Sequence, residues 1–122
     1  AYEMLRSLVG SEMCISDSFK FAAVSDSTPS AFDLITDFVN DTDRIDLSSI
    51  DAIAGGSIDA FVFLANATPA SNPGVTANSI SWYQDTTNNQ TVIQADMTGD
   101  TTADLVIKLT GLHTMTGHDF NL

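Results

Sequence analysis

The sequence predicts an all-β chain, an antiparallel β-sandwich with room for one short helix. Three observations predict it. Apolar residues recur in short runs of alternating or near-alternating pattern, each bounded by Asn, Asp, Ser, Gly or Pro. The last third reads strand, turn, strand, turn, strand at the spacing of a meander. After residue 10 no apolar stretch keeps a helical period long enough for three turns.

Taken in order, residues 1–10 carry Tyr2, Leu5, Leu8 and Val9 at helix-like spacing, ended by Gly10 and Ser11. Phe19-Lys20-Phe21 is a strand with both phenylalanines on one face and Lys20 on the other. Ser-Asp-Ser-Thr-Pro at 25–29 is turn chemistry. The stretch 33–51, DLITDFVNDTDRIDLSSID, reads strand, turn, strand. Its first run holds Leu34, Ile35, Phe38 and Val39, and its second holds Ile45, Leu47 and Ile50. Between them Asn40, Asp41, Thr42 and Asp43 can bond their own backbone.

A glycine turn at 54–57 leads to a strand over 60–64 with Phe61 and Phe63 on one face. Residues 65–79 form a long surface loop. The meander follows: a strand at 79–84, a turn at 85–89, a strand at 90–95, an acidic turn at 96–104 and a strand at 105–109. The short helix belongs near 111–119. Phe19, Phe21, Ile35, Phe38, Ile45, Leu47, Phe61, Phe63, Ile80, Val92, Leu105 and Ile107 are the expected core.

A length of 122 residues suits one domain, and 43% hydrophobic residues with 8% aromatics can fill a modest core. No apolar run reaches the roughly 20 residues that a spanning helix requires. The opening AYEMLRSLVG lacks a signal-peptide pattern, and with Ala1 at its start the chain reads as a piece of a longer protein. Sixteen acids against four bases give a net charge of −12. Such a surface disfavours nucleic acid and anionic membrane, which need clustered Lys and Arg. Cations and cationic partners remain. Cys14 is the only cysteine, so no internal disulfide forms; it reads as a small half-buried apolar residue.

Two stretches gather oxygen ligands of the kind calcium takes. Asp96, Thr98, Asp100 and Asp104 stand at relative positions one, three, five and nine. The sixth position is Thr101 and the twelfth Ile107, so the loop is not an EF-hand. It reads either as a calcium loop or as a polar hairpin whose Asp and Thr cap their own turn. Asp33, Asp37, Asp41, Asp43 and Asp46 are the second candidate. Asp33 and Asp37 would share a face of one strand, and Arg44 is the base within the stretch. His113 and His118 lack the further ligands of a zinc site, and neither HExxH nor a Gly-x-Ser-x-Gly elbow is present.

The pattern DxITDFxxxxDRIDLSxID over 33–51 resembles the segment after the calcium-binding repeats in serralysin-type secreted proteases and other repeats-in-toxin proteins. Asp17 to Phe21 with Ser25-Asp26-Ser27, residues 96–109, and Asp119-Phe120-Asn121-Leu122 fit the same pattern in the same order. The resemblance runs from about residue 17 to 122. It implies a fold of β-roll-like rungs leading into the β-sandwich: a degenerate lead-in over 1–16, cap-like strands over 17–53, and an antiparallel sheet with a secretion-signal-like tail over 54–122. At Glu12 to Asp17 the family's repeat keeps its aspartate and loses every glycine, so no standard repeat-type calcium site is expected there. The loop at 96–104 is similar to the family's DxNGDGxAD, with Thr101 in place of the second glycine.

By resemblance, the chain is a non-catalytic C-terminal domain of a secreted, extracellular bacterial protein. It would assist type I export and calcium-dependent folding outside the cell. Its partners would be calcium, the type I secretion machinery and other domains of a larger parent. The metal-ligand candidates are Asp33, Asp37, Asp96, Thr98, Asp100 and Asp104. The export signal would be Asp119, Phe120, Asn121 and Leu122, an acid before an apolar run that Asn121 interrupts. One rival is a carbohydrate- or protein-binding module using Trp82 or Tyr83 at its surface. The other is a small enzyme, which would need a buried carboxylate pair facing a cleft.

Overall fold

The computed structural model describes residues 18–53, 59–65 and 70–122. The expected helix at 1–10, the degenerate repeat at 12–17, Cys14 and the turn at 54–57 lie outside the described residues. Among the described residues the chain is all-β, as the sequence predicts. Its strands are β1 (Ser18–Lys20), β2 (Asp33–Ile35), β3 (Arg44–Asp46), β4 (Val62–Phe63), β5 (Ser79–Asp85), β6 (Gln90–Ala95), β7 (Leu105–Thr110) and β8 (Phe120–Asn121). They form a five-stranded sheet of order β2-β7-β6-β5-β4 and a three-stranded sheet of order β1-β3-β8.

The predicted meander is β5, β6 and β7, paired antiparallel, with Trp82 opposite Ile93 and Ile93 opposite Ile107. Period-two patterning explains it: Leu105, Ile107 and Leu109 are buried while Val106 and Lys108 are only partly so. Around the meander the pairings are parallel: β1 with β3, β3 with β8, β2 with β7 and β4 with β5. β1 and β3 lie within the 17–53 stretch for which cap-like strands are expected.

Residues 33–51 do form two strands, but not a strand pair. β2 joins β7 in the large sheet, and β3 sits between β1 and β8 in the small one. The turn between them is the reason. Asp43 N–H donates to the Val39 carbonyl at 2.8 Å, and the Asp43 carboxylate accepts the Val39 N–H at 2.9 Å. That tight loop, with Asp41 at φ 62°, redirects the chain from one sheet to the other instead of folding it back on itself. The helix expected within 111–119 is a single 3₁₀ turn, Gly117–Asp119. Gly111 at φ 93° interrupts any longer helix, and Asp119 closes the turn.

One core joins both sheets. Phe19, Phe21, Ile45 and Leu47 from the small sheet's side meet Ile80, Trp82, Ile93, Leu105, Ile107 and Leu109 from the large one. Burying each large side chain stabilises the fold by about 1.5–3 kcal/mol. Of the expected core residues, Phe63 is half-buried, packing its ring 5.4 Å from that of Phe120. Val92 is buried, but it lies outside the inner cluster to which its neighbour Ile93 belongs.

Candidate functional site

The acidic loop at 96–104 closes upon itself. Asp96, fully buried, accepts the Gly99 N–H at 2.8 Å on one oxygen and the Thr101 N–H at 2.7 Å on the other. Asp104 accepts the N–H groups of Met97 and Thr98 at 2.9 and 3.1 Å. The Thr98 hydroxyl lies between the two carboxylates, 3.3 Å from Asp96 and 3.1 Å from Asp104. The structure therefore brings Asp96, Thr98 and Asp104 together. Asp100 is exposed and accepts the Thr102 N–H at 2.9 Å.

Burial pushes the Asp96 carboxyl up. The N–H groups of Gly99 and Thr101, with the Thr98 hydroxyl, outweigh it and hold the carboxyl below the ordinary aspartate value. The donor set has the hard oxygens that calcium takes. In this arrangement both oxygens of Asp96 and Oδ2 of Asp104 are engaged by the loop's own N–H groups, so an ion that took both Asp96 oxygens would have to open the loop. Among the described residues no group of three or more acids, histidines or cysteines converges on a metal position.

Asp33 and Asp37 do not share a strand face, because β2 ends at Ile35. Asp33 is 1% exposed, and the register places it in one cross-strand row with Ile107, Ile93 and Trp82. Its N–H donates to Ser27 Oγ at 2.8 Å, while the Ser27 hydroxyl donates to the Val106 carbonyl and so clamps β2 against β7. Asp37 is half-buried beyond the strand. Asp46, in β3, accepts the hydroxyl and the N–H of Ser48 at 2.6 and 2.9 Å. The Ser48 hydroxyl foremost holds the Asp46 carboxyl below its usual range.

The C-terminal segment is part of the fold. Phe120 is 4% exposed and pairs with Ile45, while Asn121 pairs with Asp46 and its carbonyl accepts the Leu47 N–H at 2.8 Å. Leu122 packs on the core. Asp119 is fully buried. It accepts the Asp41 N–H at 2.9 Å, the Thr116 N–H at 2.8 Å and the Asn40 side-chain amide at 3.1 Å. Asn40 donates also to the Thr114 carbonyl at 3.1 Å. Its Oδ1 lies 2.7 Å from His113 Nδ1, and His113 Nε2 lies 3.0 Å from the Thr110 carbonyl. His113 stands edge-on to Phe38, its ring centre 5.7 Å away.

In the sequence Asn40 stands out only as turn chemistry and His113 only as an incomplete zinc ligand; nothing there brings Asn40 and Thr116 together at Asp119, with His113 beside Asn40. The signal available was the turn chemistry of Asn40 and Asp41; their partner lies 78 residues from Asp41 along the chain. Trp82, 2% exposed, packs in the core, which removes it as a surface platform, while Tyr83 is half-buried on the opposite face. Among the described residues no helix is long and apolar enough to cross a membrane.

Fold and sites together define an acidic two-sheet β module in which the C-terminal segment serves as a structural strand. The chain belongs to the family of peptidase M10 serralysin C-terminal domains, whose family model matches residues 8–122. That domain is the non-catalytic C-terminal part of secreted serralysin-like proteases. Among solved structures the chain is similar to the AlgE6R2 subunit of the Azotobacter vinelandii mannuronan C5-epimerase, solved in solution. Identity is 19%, the match covers 85% of this chain and 58% of that one, and the TM-score is 0.49. No curated protein matches the chain.

Proposed function

We propose that the chain assists type I export of a secreted bacterial protein and folds outside the cell with the help of calcium, carrying no catalysis itself. Family membership supports a secreted-protein C-terminal domain. The observation that carries the export reading is the segment Asp119, Phe120, Asn121 and Leu122. It has the acid-then-apolar pattern of the family's signal, and it is also a closing strand of the fold.

The calcium half rests on charge and chemistry. At −12 the compact state repels itself, and hard oxygens are on hand at Asp33, Asp37, Asp96, Thr98, Asp100 and Asp104. Asp100, exposed, is the accessible member of the 96–104 loop. Occupation of both Asp96 oxygens, or of Asp104 Oδ2, would compete with their N–H partners.

The export test fuses a signal-less passenger ahead of the chain and co-expresses a type I exporter. Replacing residues 119–122 by Gly and Ser should abolish appearance of the passenger in the medium. Val92→Ala, which weakens β6 in the other sheet and lies outside the core cluster that holds Phe120, should leave export intact. Unaltered export after the replacement defeats the reading; equal loss from both changes shows that folding, not recognition, governs the result.

A further inference from the structure

We propose that the Asn40–Asp41 turn is a lock on the chain's own C-terminal segment, holding residues 119–122 out of reach of the export machinery once the domain has folded. The inference rests on the export reading above and adds its regulation.

Recognition of a short segment needs its side chains in solvent, and the folded chain withdraws the acid and the first apolar residue, leaving Asn121 exposed and Leu122 half-buried. Asp119 is fully buried and Phe120 is 4% exposed. The Asp119 carboxylate is satisfied three ways, by the Asp41 N–H, the Thr116 N–H and the Asn40 amide. Hydrogen bonds to a charged acceptor are stronger than those between neutral groups. Anything that binds this carboxylate must first break them.

Two of the donors belong to the 40–41 turn, far from the segment in sequence. The lock therefore closes only when the turn between β2 and β3 is in place. Asp41 at φ 62° aims its N–H at Asp119. Asn40 is itself fixed by the Thr114 carbonyl and by His113 Nδ1. On the other side of the segment, β8 pairs with β3, and the Leu47 N–H holds the Asn121 carbonyl. An unfolded chain offers the segment; a folded one has spent its polar groups on the turn. Turn and exporter compete for one carboxylate.

The competition is read with the full 122-residue chain. Asn40→Asp sets a second carboxylate against Asp119 and leaves residues 119–122 unchanged. Amide exchange at Asp41, Leu47 and Thr116 reports the lock, and exchange at Val92 and Ile93 in β6 reports the rest of the fold. In the variant the first set should speed up by about tenfold or more, the factor that loss of one charge-assisted hydrogen bond is worth, with β6 still protected. Binding to the purified ATPase subunit of a serralysin-class exporter is then measured. A peptide of residues 113–122 should bind, the folded wild-type chain should bind at least about tenfold more weakly, and Asn40→Asp should recover part of the difference.

Equal binding by peptide and folded wild type overturns the lock while the export reading stands. A peptide that does not bind overturns the export reading and the lock together. Should Asn40→Asp lose β6 protection, Asn40→Ala is measured in its place; unchanged exchange at Asp41 and Leu47 in that variant also overturns the lock.

Discussion

Thr101 stands at φ 65°, in the region that favours glycine and that a β-branched side chain enters at a cost of about 1–2 kcal/mol. It is held there because its N–H reaches Asp96. Thr101→Gly keeps that bond and relieves the strain, at the expense of a more flexible unfolded chain. The net expectation is a gain of about 0.5–1 kcal/mol, read as a raised midpoint in urea with unchanged slope. Asp96→Asn acts in the opposite direction. It removes one charged acceptor from two N–H groups and should cost about 1.5–3 kcal/mol at neutral pH. The sign with pH follows from the depressed carboxyl. Wild-type Asp96 contributes fully above the unfolded value of about 3.9 and loses that contribution as pH falls through its lower folded value. The stability difference between wild type and variant should therefore shrink in acid below about pH 4; a difference that stays constant to pH 2 would place the effect elsewhere than on the charge.

At the scale of elements, β8 is short and yet central to closure. Phe120 packs on Phe63 and the common core, and Phe120→Ala should cost about 3–5 kcal/mol, seen as a lowered urea midpoint. A loss below about 1 kcal/mol would mean that β8 frays without consequence. The meander was legible because each of β5, β6 and β7 pairs with a neighbour a short turn away, and alternation marks the faces. The parallel pairings were not. β1 to β3, β2 to β7 and β3 to β8 join strands with long intervening chain, and alternation names a strand's buried face without naming its partner. The same limit governed the sites. The self-capped loop at 96–104 was one of two readings the sequence allowed, since its donors and acceptors are local. The Asp119 hub was hidden, because Asn40 and Asp41 meet it across 79 and 78 residues of chain.

At the scale of the molecule, the net charge of −12 is the largest unbalanced quantity. Added salt of any kind should stabilise such a chain by screening. A site does more, since an ion that binds only the folded form stabilises it by RT ln(1 + [L]/Kd), about 1.4 kcal/mol at roughly tenfold excess over Kd. Extracellular calcium modules bind at about 10⁻⁴ to 10⁻³ M, so calcium at a few millimolar should raise the melting temperature above that in sodium chloride of matched ionic strength. Magnesium should do less, because it demands octahedral geometry and keeps its water. The variants locate the effect. Asp100→Ala removes an exposed carboxylate and leaves the Asp96 and Asp104 bonds in place, so it should erase the calcium increment with little change in the sodium curve if the 96–104 loop is the site. Asp37→Ala should do so if the first acidic stretch is. Coincident calcium and sodium curves would instead assign the carboxylates to turn closure alone, the role that Asp96, Asp104 and Asp119 already fill in this structure.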